Sequence, residues 1–133
     1  MLVAGIMKTD VATISPLATV REALLQMKEH GVKSLVVEKR HAGDAYGLIA
    51  YRDIAKSVIA DDGDIDLLNV YDIAQKPALQ VSQHLEVRYL ARLMIQYSVK
   101  RVLVIDNNEL QGFVSISDVV GSLIDRALRE QER

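Results

Sequence analysis

Two stretches of this chain are built on one frame. Gly112-Phe113-Val114-Ser115-Ile116-Ser117-Asp118 and Gly47-Leu48-Ile49-Ala50-Tyr51-Arg52-Asp53 each open on a glycine, continue with an apolar pair and reach an aspartate six places later. The two aspartates are 65 residues apart. Upstream, Ile6 and Ile73, Ser15 and Ser82, Val20 and Val87, Met27 and Met94, Val32 and Val99, and Lys33 and Lys100 all pair at an offset of 67. The change of two falls where Glu38–Tyr46 is longer than the matching stretch Asp106–Gln111. Self-similarity on this scale limits the fold more than any single motif, because it demands two copies of one supersecondary unit. The chain has 133 residues, so each copy is small and buries little apolar surface alone. The copies are therefore expected to pack face to face about a pseudo-twofold axis, leaving two equivalent clefts.

Each copy reads as extended segment, helix, strand, strand, helix, a mixed α/β (α+β) arrangement. In the first, Thr19-Val20-Arg21-Glu22 fits a capping box. Val20, Ala23, Leu24 and Met27 follow at helical spacing and Gly31 closes the helix. Met27 on such a stripe reads as core filler. Ser34–Glu38 and Tyr46–Ala50 read as strands, and a second helix is expected from about Arg52 to Ala60. The second copy repeats this with Val87, Leu90, Ala91 and Met94 on its first helix and Arg101–Asp106 as its strand. Its last helix, from about Ser117, carries Val120, Leu123, Ile124, Ala127 and Leu128 on one stripe, wide enough to combine core with a dimer face at Leu123, Ile124 and Leu128. The expected division is repeat one over 3–60, an acidic linker over 61–69, repeat two over 70–128 and a charged tail over 129–133.

The heptads carry the chemistry. A strand entering a helix through Ser-Ile-Ser-Asp offers hydroxyls, unpaired backbone N–H groups and the positive end of a helix dipole, all suited to a phosphate. The aspartate can accept hydrogen bonds from a vicinal diol such as a ribose. The competing reading is plain helix capping. Other chemistries lack support. There is no cysteine, so disulfides, thiolate metal sites and thiol catalysis are excluded. A net charge of −2 gives no basis for a nucleic-acid or membrane role. Counting Asp62 as position one of a calcium loop puts Leu67 where glycine belongs and Ile73 where glutamate belongs, so the run Asp61–Asp66 reads as a solvated linker. His30, His41 and His84 share no ligand spacing and read as surface positions. With no Ser-His-Asp or paired-carboxylate arrangement, the chain is read as non-enzymatic. No apolar run has bilayer length, and a cytoplasmic location is expected.

With both copies in view, the chain resembles a tandem pair of cystathionine-β-synthase-type (CBS) domains, a Bateman module. The resemblance covers roughly Val3 to Ile124 and rests on three pieces per copy. These are the Val-x-x-Ile lead-ins (Val3–Ile6 and Val70–Ile73), the Val-Lys pairs (Val32-Lys33 and Val99-Lys100) and the heptads. It implies two β-α-β-β-α repeats joined at their sheets, usually with a second copy alongside in a flat homodimeric disc. It also implies adenosine-containing ligands (AMP, ADP, ATP or S-adenosylmethionine) in the inter-repeat clefts, with no cofactor required. In one cleft Asp118 matches the ribose-binding aspartate and Ser115 and Ser117 the hydroxyls beside it. Lys100 and Arg101 fall at basic positions near phosphate, and Ala4 with Lys8, Thr9 and Asp10 forms the facing wall. In the other, Ala50 departs from the usual Thr or Ser. Asp53, Arg52 and Lys33 remain, facing Lys76, Pro77 and Ala78, and this cleft is expected to be weaker or to prefer a more anionic ligand. Asp53 acting only as a helix cap is the alternative there.

Two functions follow from different classes. One is a stand-alone sensor of adenosyl ligands that signals to an effector protein in trans. The other is a ligand-independent dimerisation or scaffolding module whose junction residues only cap helices.

Overall fold

The computed structural model describes residues 1–132, so Arg133 of the expected charged tail lies outside the described residues. The chain divides into two compact units, one made of Val11–Ala78 and the other of Met1–Asp10 with Leu79–Arg133.

In the Val11–Ala78 unit, β1 (Thr13–Ile14) leads to α1 (Val20–His30), β2 (Ser34–Val37), β3 (Gly47–Ala50) and α2 (Tyr51–Ile54), which runs on as a π-helical turn over Ala55–Ala60. A short helix, α3 (Val70–Ile73), follows the linker. The sheet order is β1-β2-β3, with β1 parallel and β3 antiparallel to β2. A parallel neighbour requires a crossover, and α1 supplies it. That helix begins where the Thr19 hydroxyl accepts the Glu22 N–H at 3.2 Å. It ends at Gly31, whose φ of 64° turns its N–H back onto the Lys28 and Met27 carbonyls. Val20, Ala23 and Met27 form its buried face, against Leu35, Val37 and Ile49 of the sheet. Met27 is core filler, as its spacing predicts, and its replacement by Ala is expected to cost about 2–5 kcal/mol.

The second unit repeats the order: β4 (Gln80–Val81), α4 (Val87–Gln96), β5 (Arg101–Asp106), β6 (Glu109–Ser115) and α5 (Ile116–Glu132). Its sheet, β4-β5-β6, has the same directions, and its core gathers Val3, Val81, Leu90, Met94, Val102, Val104 and Val114. The hairpins differ as the offset change requires. Asp106 pairs with Glu109, and the turn between them holds Asn107 and Asn108 at φ of 52° and 63°. The longer first hairpin instead bends at His41–Asp44, where the Asp44 N–H reaches the His41 carbonyl at 3.0 Å.

The lead-in segments do not stay with the repeats they introduce. Val3 and Ala4 donate to the carbonyls of Leu85 and Gln83 at 2.8 and 2.9 Å. Val70 and Tyr71 donate to those of Ala18 and Pro16 at 2.8 and 3.0 Å. Every one of these residues has its counterpart 67 places away. Each unit is thus one repeat's sheet and helices completed by the other repeat's lead-in.

Candidate functional site

The lead-in also builds each heptad's surroundings. Lys8 and Phe113 exchange both backbone hydrogen bonds, at 2.9 and 3.0 Å, and Gln75 and Leu48 do the same, both at 2.9 Å. The glycines that open the heptads permit this crossing. A Cβ on Gly47 would lie 2.8 Å from the Gln75 carbonyl oxygen, and one on Gly112 would lie closer still to that of Lys8. No side chain fits under a backbone at that range.

Where β6 becomes α5, the Ile116 N–H is held by the Lys100 carbonyl at 2.9 Å, and Arg101 stands opposite Ser115 in the sheet. Asp118 Oδ2 accepts the Ser115 N–H at 2.8 Å and its hydroxyl at 2.9 Å, while Ser115 Oγ accepts the Asp118 N–H at 3.2 Å. This is a reciprocal capping box. It consumes one carboxylate oxygen. The other, Oδ1, faces Lys8 Nζ at 3.5 Å. The aspartate side chain is 13% exposed and the lysine 60%, so a mostly buried carboxylate meets a solvent-exposed ammonium. Lys8 Nζ also stands 5.9 Å from the centre of the Phe113 ring. Ala4, Thr9, Asp10, Ser117 and Lys100 are exposed and Arg101 is half-buried, all within this unit.

The β3–α2 junction has the same plan with different residues. Tyr51 N–H bonds the Lys33 carbonyl at 3.1 Å, and Asp53 Oδ2 accepts the Ala50 N–H at 2.8 Å. Alanine supplies no hydroxyl, so the box is half complete. Asp53 Oδ1 takes an amide N–H of Gln75 at 3.4 Å, where the other unit has Lys8. Lys76 is committed elsewhere: its ammonium binds Asp44 Oδ2 at 2.6 Å, and both side chains are mostly buried, at 17% and 13% exposure. The Arg40 N–H adds a bond to the same oxygen at 2.8 Å. Lys76 first, and this N–H second, hold the Asp44 carboxyl far below the usual carboxylate range. Pro77 follows a cis peptide bond, Ala78 N–H bonds the Tyr46 carbonyl at 3.1 Å, and Arg52 and Lys33 are exposed.

Two residues escaped the sequence reading. Gln75 was findable as the 67-residue counterpart of Lys8. Asp44 was not, because it sits in the part of the first hairpin that the second lacks. The three histidines are exposed, and among the described residues no group of three or more His, Cys, Asp or Glu is placed to hold a metal. The linker acids face solvent, with Asp66 Oδ2 bound to Arg21 Nη2 at 2.9 Å. Among the described residues no helix is long and apolar enough to cross a membrane. A groove of about 470 Å³ between α4 and α5, lined by Met1, Val87, Ala91, Val120 and Leu123 among others, includes none of the residues above.

A family model of the CBS domain matches residues 3–60 and 70–125. The chain belongs to the CBS-domain family. Protein MK0525 of Methanopyrus kandleri is 29% identical to it over 119 residues, covering 89% of this chain and 60% of that protein's length. The chain therefore spans less than two thirds of that relative. A hexameric CBS-CP12 protein from bloom-forming cyanobacteria superposes with a TM-score of 0.86 at 38% identity, covering 91% of this chain and 71% of the other. The CBS domain pair of protein MJ0100, solved in complex with 5′-methylthioadenosine and S-adenosylmethionine, is alike in fold, with a TM-score of 0.80 at 22% identity over 92% and 99% of the two chains.

Proposed function

We infer that this CBS pair is a regulatory module that holds an adenosine-containing ligand at Asp118 and passes the bound state to a partner protein in trans. The observation that carries this reading is the division of labour within one carboxylate. Asp118 Oδ2 is spent on the capping box with Ser115, while Oδ1 remains turned toward an exposed, movable lysine. That second oxygen is the one left to accept from a ribose diol. Ser117, Lys100 and Arg101 on the same junction provide the donors a phosphate requires. Family membership supports the ligand class, and the adenosyl ligands of the MJ0100 pair belong to that class in a protein of the same fold.

The test is calorimetric titration of AMP, ADP, ATP and S-adenosylmethionine into the protein and into Asp118→Ala. Removing a charged acceptor from the diol is expected to weaken binding by roughly 1.5–3 kcal/mol, a factor of ten to a hundred or more. Absence of binding to the unaltered protein would move the scaffold reading ahead.

Self-association has its own support. Val120, Leu123, Ile124 and Leu128 on α5 are each about half exposed, between 50% and 54%. A stripe of that kind fits a second copy of this chain, and a homodimer is the assembly we assign to it.

A further inference from the structure

The two heptad aspartates accept the same backbone N–H, three residues upstream, yet each meets a different neighbour from its crossing lead-in. Asp118 Oδ1 faces the Lys8 ammonium at 3.5 Å, and Asp53 Oδ1 faces the Gln75 amide at 3.4 Å. Both neighbours are rooted the same way, by a pair of backbone hydrogen bonds to the strand and a glycine beneath. At this one position the lead-ins differ in charge, a cation in one unit and a neutral donor in the other.

We propose that Lys8 is the charge selector of the Asp118 site, making it discriminate in favour of adenosyl ligands that carry a phosphate on the sugar. This rests on the ligand-binding reading above and adds to it the residue that sets the ligand class. A diol reaching Asp118 must take the oxygen that Lys8 now faces, because the other oxygen is held by the N–H and hydroxyl of Ser115. Displacing the ammonium gives up this ion pair, and an incoming ligand that brings another anion offers the lysine a replacement partner. A phosphate on the same sugar does so; an unphosphorylated nucleoside does not. The lysine's backbone stays clamped to Phe113 while its side chain, 60% exposed, is free to swing, so the exchange needs no movement of the fold. At Asp53 the amide of Gln75 gives way to a diol without leaving a charge uncompensated. The Lys76 cation of that lead-in is already held by Asp44 at 2.6 Å. Lys33 and Lys100 occupy matching positions, each lending its carbonyl to the first helical N–H, so they do not distinguish the two sites.

The test compares AMP with adenosine, which differ only by the phosphate, in the unaltered protein, Lys8→Gln and Gln75→Lys. Affinities come from calorimetry, and the Gly112 and Gly47 amide resonances report which unit each ligand reaches. Residue 8 contributes its pairing through the backbone, so Lys8→Gln should keep its thermal midpoint, and unfolding scans check this. In Lys8→Gln the preference for AMP over adenosine at the Gly112 unit should fall by about tenfold or more. The salt dependence of AMP binding there should flatten with it. Gln75→Lys should raise the same preference at the Gly47 unit. If both ligands perturb Gly112 and the preference survives in Lys8→Gln, charge selection by Lys8 is overturned while the ligand reading stands. If neither ligand perturbs either glycine, the ligand reading itself fails and takes this assignment with it.

Discussion

At the scale of single residues, the glycines beneath the lead-ins separate two reasons for having no side chain. Gly112 and Gly47 lie under a crossing backbone, whereas a Cβ on Gly31 would meet nothing within 4 Å. Gly31 is needed only for its φ of 64°. Gly112→Ala is expected to cost about 1–3 kcal/mol or more in urea unfolding, with Gly47→Ala somewhat less because its clash is milder. Gly31→Ala should cost about 1–2 kcal/mol, from backbone strain alone. Asp44 gives a pH signature. Its carboxyl titrates well below the ordinary value because of Lys76 and the Arg40 N–H, so the unfolded chain takes up that proton first as acid is added. The stabilisation is complete above about pH 4 and is lost as pH falls through the folded-state value. Urea midpoints of the protein and of Asp44→Asn should thus differ by a constant amount from neutrality to about pH 4, then converge in stronger acid. The position of Asp118 could be read from the repeat, since the 65-residue offset flags it. The capture of Lys76 could not, since a loop without a counterpart leaves nothing to compare.

Among the elements, the hairpins are where the two repeats diverge. The Asn107-Asn108 turn holds positive φ at both positions, as a two-residue hairpin requires, and asparagine tolerates that region better than most residues. Asn107→Gly is expected to stabilise slightly and Asn107→Ala to destabilise by about 1 kcal/mol, measured by thermal or urea unfolding. The hydrophobic periods of α1 and α4 and the closing Gly31 made those helices legible, because burial of one face sets the same spacing in sequence and in structure. The widening of α2 into a π turn at Ala55–Ala60 left no such trace, since its side-chain pattern continues an ordinary helix.

For the whole molecule, the α5 stripe predicts the assembly state. Leu123→Asp with Leu128→Asp should shift sedimentation from dimer to monomer while leaving the circular dichroism of the fold unchanged, because both side chains already face solvent within one chain. The repeat fixed the family, but its boundaries and those of the compact units are out of phase by one lead-in. That offset acquires a meaning when the chain is made rather than finished. Everything in the Val11–Ala78 unit has been synthesised once Ala78 is added, but Met1–Asp10 belongs with a sheet whose last strand is completed only at Ser115. At roughly 5–20 residues per second, Met1–Asp10 wait several seconds after leaving the ribosome for the strand they pair with. The earlier-made segment of this unit is therefore among its last to be ordered.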